Sequence, residues 1–258
     1  MGKIDYSPEQ KIVDEIFDDD STFWSDTYQA NDVHGLNVRQ RQAGALSYVD
    51  ELLLPKNSRV LEIGCGAGFM SIALAHRGFT VEAVDHAPAM IELTQKHAKQ
   101  TGTANLINAS VEDVHELPFE NASFDLIVSL GVPQWLHDLR KAMLEIVRVL
   151  KSGGYIVLSI PRSHAFFNPL SIPALELMLD KVSRKPVRPR RYLPKEFNQY
   201  LLSANLTIIK SKNVAFGPIK ILGREPFSKI QLGLQQYCGT GNPILSAFGS
   251  QYIVLAQK

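Results

Sequence analysis

The run Val60-Leu61-Glu62-Ile63-Gly64-Cys65-Gly66-Ala67-Gly68 sets the strongest local constraint on the fold. A short apolar, β-branched stretch, Ser58–Ile63, ends in glycines at alternate positions, and an apolar-striped segment, Ala67–Arg77, follows. Glycine lets a turn tighten and lets a ligand approach the backbone closely. The helix behind such a turn aims its first unbonded N–H groups at that ligand. The spacing therefore predicts a strand, a binding turn and a helix in succession. Asp85 ends the next strand-like run, Thr80–Val84, 19 residues after Gly66. A carboxylate at that place accepts hydrogen bonds from both hydroxyls of a ribose.

The alternation continues to residue 160. Ala87–Gln100 reads as a helix with Met90, Ile91, Leu93 and Ala98 inward and Lys96 and Lys99 outward. Asn105–Ala109 and Ser123–Leu130 read as strands. Leu139–Leu150 places apolar residues at 139, 143, 146, 147 and 150, a helical period. Lys151-Ser152-Gly153-Gly154 is the expected helix stop. Tyr155–Ile160 is nearly all apolar, as a strand buried on both faces should be. Such strand–helix repetition predicts an α/β fold: a parallel sheet flanked by helices, with the ligand crevice at the strands' C-terminal edge.

Outside this core, Asn37–Leu54 is expected to be a helix covering the sheet, preceded by the polar-aromatic segment Phe23–Tyr28. Residues 161–194 are proline-bearing and basic and break the pattern, which suggests a cap. Pro194–Ala204 reads as a helix, and Leu206–Ala215 with Gln251–Gln257 as a closing strand pair. The expected organisation is one domain over 1–258. Its parts are an N-terminal cap and covering helix (1–57), a cofactor-binding core (58–160), a substrate cap or lid (161–205) and closing strands (206–258).

Composition excludes several other readings. With 258 residues, 45% hydrophobic and 21% charged, the chain is long enough to bury a core without a metal or disulfide staple. Cys65 and Cys238 form no CxxC pair. Seven histidines include no HExxH, no GxSxG elbow is present, and no metal is expected. No apolar stretch approaches the roughly 20 residues of a membrane span, and the start lacks a signal-peptide pattern. A cytoplasmic protein is the expectation. The formal net charge of +1 hides a division: residues 1–160 carry 22 acids against 13 bases, and residues 161–258 carry 4 against 14. Half of those 14 bases lie between Lys181 and Lys195.

Two cofactor classes use a ribose-binding acid. Dinucleotide sites want GxGxxG, but Phe69 stands where the last glycine belongs, and Glu62 would repel a pyrophosphate. An acid at Glu62 suits a ligand with a cationic group, a ribose and no phosphate.

With these features in place, the chain resembles the class I, seven-stranded S-adenosylmethionine-dependent methyltransferases, in the small-molecule branch with a UbiE/MenG/BioC-like core (methyltransferase type 11). VLEIGCGAG (60–68), VEAVDHAPAMIELT (81–94), SVEDVHELPFENASFDLIVSLGV (110–132) and LRKAMLEIVRVLKSGGYIVLSIP (139–161) carry the resemblance in order. It implies a Rossmann-like seven-stranded mixed sheet, mostly parallel with the last strand antiparallel. It implies S-adenosylmethionine as cofactor, S-adenosylhomocysteine as product and O-, N- or C-methylation of a small molecule. By resemblance Glu62, Gly64, Cys65, Gly66 and Gly68 form the cofactor loop. Asp85 takes the ribose with His86 beside it, Asp113 binds the adenine amino group with Val114 beside the ring, and Leu130 lies near the cofactor. Tyr28, Arg39 and Arg41 stand on a segment that folds over the cofactor in relatives, where an arginine could clamp the methionine carboxylate.

Relatives often carry Leu-Glu-His after the fourth strand, whereas Pro133-Gln134-Trp135-Leu136 stands here. That puts a general base at Trp135 in doubt and makes Trp135 a substrate-side residue. His137 and His164 follow the fourth and fifth strands and are the candidate bases; proximity alone also suffices for methyl transfer. The basic run 181–195 has three readings. It is a solvated lid, a receptor through Arg190 and Arg191 for an anionic or amphipathic acceptor, or a peripheral contact with an anionic membrane. Nucleic acid is not expected as a partner, and the chain is expected to be a monomer or homodimer. Protein or RNA methylation, and a non-catalytic cofactor-binding subunit or sensor, remain as alternatives.

Overall fold

In the computed structural model, the described residues are 12, 13, 15, 17, 18, 26–162, 189, 190, 192–215, 229, 230, 232, 233 and 249–258. Side-chain alternation along the first strand organises two layers of core. In β1 (Arg59–Ile63), Leu61 and Ile63 enter one apolar cluster and Val60 enters the other. The same two-residue period sends Ile156, Leu158 and Ile160 of β5 (Leu150–Pro161) to the first cluster and Val157 to the second.

Seven strands form one sheet in the order β3-β2-β1-β4-β5-β7-β6. The others are β2 (Thr80–Asp85), β3 (Ile107–Val111), β4 (Phe124–Leu130), β6 (Thr207–Val214) and β7 (Gln251–Gln257). Strands β1 to β5 pair in parallel, and β7 runs antiparallel to both β5 and β6. Helices α1 (Val33–Glu51), α2 (Phe69–Ala75) and α3 (Pro88–Gln100) cover one face through Ala45, Tyr48, Met70, Leu74 and Ile91. Helices α4 (Leu139–Val149) and α5 (Pro194–Ser203) cover the other through Met143, Ile146, Phe197 and Leu201. Burying each such side chain contributes roughly 1.5–3 kcal/mol, so the sheet is held from both sides.

Three of the differences from the sequence reading have a clear local cause. Helix α1 begins at Val33, because the Asp32 carboxylate accepts the Gly35 N–H at 2.7 Å and caps it four residues before the expected start. Strand β3 lies two residues later than expected; a turn closed by Leu106 N–H to the Thr103 carbonyl precedes it, and pairing of Val111 with Asp85 sets its register. The expected stop at residues 151–154 is a bulge inside β5. Leu150 pairs with Phe124 and Tyr155 pairs with Leu126, so the four intervening residues face Asp125 alone. Leu150 both caps α4, through its N–H to the Ile146 carbonyl, and opens the strand, so helix end and strand start coincide. Gly153, at φ 76°, takes the left-handed backbone that the bulge needs.

Most of the expected cap, residues 163–188 with Arg191, lies outside the described residues. Its end, α5, does not stand apart as a lid element: Phe197 and Leu201 are completely buried in the core shared with α4 and β7. Among the described residues, no helix is long and apolar enough to cross a membrane.

Candidate active site

The cavity opens where β1, β2, β3 and β4 end, with the strand order turning at β1 and β4. This is the crevice at which open parallel sheets hold ligands. Its volume is about 230 Å³.

The turn after β1 forms the floor. Gly64 and Cys65 donate their N–H groups to the Val84 carbonyl at 2.8 and 3.0 Å, tying the turn to β2. Gly64, Gly66 and Gly68 all have positive φ, yet they serve different ends. A Cβ on Gly64 would stand 2.1 Å from Val132, and one on Gly68 would meet Thr94 at 2.8 Å, so these two glycines are packed against the protein. A Cβ on Gly66 would meet nothing within 4 Å; its bare side faces open space. Thr94 donates to the Gly66 carbonyl at 2.8 Å and fixes the far side of the turn. Cys65 is buried, and burial pushes its thiol well above the ordinary range, so it is a packed small residue and no nucleophile.

Asp85 is bound to the loop it faces. Its carboxylate accepts the Gly66 N–H at 2.8 Å and the Ala87 N–H at 3.1 Å. Burial raises its pKa, with the N–H groups of Gly66, Ala87 and His86 acting against that rise. Glu62 also lines the cavity, 4% exposed, and accepts the Ser71 hydroxyl. Burial, with Asp85 nearby, pushes its carboxyl up to about 8.

The opposite wall comes from the segments after β3 and β4. Asp113 receives the backbone N–H of His115 at 2.9 Å and lies 2.7 Å from its Nδ1. Burial raises the Asp113 carboxyl, but the bonds from His115 outweigh it and hold the pKa below the ordinary value. After β4, Gly131 turns at φ 76°, and a Cβ there would strike the Arg41 guanidinium at 2.3 Å. Gln134 donates through Nε2 to the Gly131 carbonyl at 2.7 Å, and its own carbonyl accepts the Arg190 N–H at 2.7 Å. Phe17 stands edge-on to Trp135, with ring centroids 5.3 Å apart.

Of the residues singled out in the sequence, Tyr28, Glu62, Gly64, Cys65, Gly66, Asp85, His86, Asp113, Val114, Leu130 and Trp135 line this one cavity. Gly68 lies beneath it, as the N-cap of α2. Arg39 does not line it: its guanidinium donates to the Tyr28 and Ala30 carbonyls at 2.8 and 2.7 Å and anchors the segment before α1. Two positions along a helix turn the side chain by about 200°, and it is Arg41 that faces inward, with its Nε buried and unpartnered. His137 is not on the cavity wall; its ring meets His115 at a tilt of 37°, centroids 4.0 Å apart. Arg190 is exposed and borders a separate polar depression with Tyr192, Glu196 and Gln199. His164 and Arg191 lie outside the described residues. Val13, Phe17, Met70, Met90, His115 and Leu136 also line the cavity, and sequence reasoning missed them. Only His115, two residues after Asp113, carried a local signal. Among the described residues, no cluster of three or more His, Cys, Asp or Glu could hold a metal ion.

The chain is similar to several known proteins. Residues 61–158 match the family described as "Methyltransferase domain". A ubiquinone biosynthesis O-methyltransferase from Paracidovorax citrulli is 27% identical over 67% of this chain and 74% of its own length. The same-named protein from Marinobacter nauticus is 23% identical over 77% and 82%. Among solved structures, a geranyl diphosphate C-methyltransferase from Streptomyces coelicolor A3(2) has the same fold. Its TM-score is 0.65 at 14% identity, covering 97% of this chain and 98% of that one.

Proposed function

We propose how this chain, a class I S-adenosylmethionine-dependent methyltransferase acting on a small molecule, divides its cavity between cofactor and acceptor. Asp85 takes the ribose, and the space beside Gly66 admits it; that pairing of a fixed carboxylate with an open glycine is the observation that carries the reading. Asp113 and Val114 hold the adenine. Gly64, Cys65, His86 and Leu130 line the path between, and Arg41 meets the carboxylate of the amino-acid end with the donor it leaves unpartnered. When bound, the cofactor supplies a methyl group on a positively charged sulfur. Burial keeps a proton on Glu62 in the free protein, and a cationic group beside it favours the ionised form, so the carboxylate forms as that charge arrives and pairs with it.

The acceptor rests against Val13, Phe17, Trp135 and Leu136, an apolar wall beside the cofactor space. An acceptor with an apolar body fits it. The relatives' O-methyltransferase names support oxygen as the atom that takes the methyl group. Gln134 ties the wall to Arg190, and this supports a role for Arg190 and the basic segment around it in meeting an anionic or polar end of the acceptor. Holding the acceptor oxygen in line with the methyl group supplies the rate, and the hydroxyl proton passes to water.

The test is methyl transfer from S-[methyl-³H]adenosylmethionine into a bacterial extract. Label is expected in organic-extractable small molecules. Label confined to precipitated protein or RNA would overturn the small apolar acceptor, and no label with retained cofactor binding would favour a non-catalytic sensor.

A further inference from the structure

Asp113 cannot hold its own geometry, because it sits in a loop beyond the end of β3. Both hydrogen bonds to its carboxylate come from one residue, His115, and go to one oxygen, Oδ1. Oδ2 is left for another donor. His115 is 3% exposed, and its Nε2 is buried without a hydrogen-bond partner. An ionised carboxylate only accepts hydrogen bonds, so the Nδ1 that faces Asp113 Oδ1 is the donor. His137 presses its ring on His115 from outside the cavity, and Leu136 and Val114 complete the packing around this loop.

We infer that His115 is a positioning residue for base recognition: it clamps Oδ1 of Asp113 so that Oδ2 faces the exocyclic amino group of the cofactor's adenine, and His137 braces the imidazole in that pose. This rests on the assignment of Asp113 to the adenine. It gives His137 a supporting role in place of a base.

The inference predicts discrimination between purine edges and not just affinity. Calorimetry would compare S-adenosylhomocysteine with S-inosylhomocysteine, whose 6-oxo group offers no donor to Asp113. The unaltered protein should prefer the adenosyl compound by about tenfold or more, since a site built around an N–H rejects its oxo analogue. His115→Leu should lose most of that preference. His115→Asn, whose amide N–H reaches the place of Nδ1, should restore it. Thermal melts of both variants confirm that the fold is kept. Equal preference in His115→Leu and the unaltered protein would overturn the role of His115. No preference in the unaltered protein would instead overturn the assignment of Asp113.

Discussion

At the scale of single residues, Glu62 shows how the site and stability oppose one another. Its carboxyl is buried and raised to about 8 from an ordinary 4.5. The folded chain thus keeps a proton that the unfolded chain releases between those values. Stability from this group is full below the lower value and falls as pH rises towards the upper one. Glu62→Gln removes that loss. Its melting temperature should exceed that of the unaltered protein by more at about pH 9 than at about pH 6, each kcal/mol being worth roughly 2–4 °C in a chain of this size. A gap independent of pH would contradict the buried-carboxyl account. The same variant should bind S-adenosylmethionine more weakly, because the amide no longer opposes positive charge. Glu62 was legible in the sequence because it stands two residues before Gly64, at the strand end that opens the glycine turn. Arg41 was harder to separate from Arg39, since the choice depends on helix phase, and the Asp32 cap that sets that phase lies outside the apolar pattern.

At the scale of elements, the loop 112–122 is held from below by two residues of α4, Arg148 and Glu145. Arg148 of α4 donates to the Leu117 and Phe119 carbonyls at 2.9 and 2.7 Å and to Asn121 at 2.9 Å, with Glu145 paired beside it. Glu145 in turn accepts the Leu117 N–H at 3.0 Å. This holds a Leu-Pro-Phe segment without regular structure in place below the wall assigned to the adenine. Arg148→Ala leaves two backbone carbonyls without their donor and should cost about 1–3 kcal/mol. Chemical denaturation would measure it; an unchanged midpoint and slope would show the staple to be idle. The strand and helix sequence from 58 to 160 was legible because each segment carries its own period. The β5 bulge was not, because glycine pairs mark a helix stop and a strand irregularity alike. The register of β3 was equally hidden, being set by its partner β2 and not by its own residues.

At the scale of the whole molecule, the net-acidic portion, residues 1–160, builds the side assigned to the cofactor, and bases outnumber acids only beyond the parallel strands, in residues 161–258. The described end of that basic portion, Arg190, is tied through Gln134 to the wall assigned to the acceptor. Fold and cofactor class were legible since the glycine turn and the acid ending β2 meet in space by the ordinary rules of parallel sheets. The N-terminal residues Val13 and Phe17 were not, since nothing local links residues before the core to a cavity that four strand ends create. The central claim is that Asp85 and the Gly66 turn bind the cofactor's ribose. Titration calorimetry with S-adenosylhomocysteine on the unaltered protein and on Asp85→Ala tests it most directly. One equivalent should bind to the unaltered protein, and the variant should bind at least about tenfold more weakly, a charge-assisted bond being worth roughly 1.5–3 kcal/mol. Equal affinity in a folded variant would contradict the account.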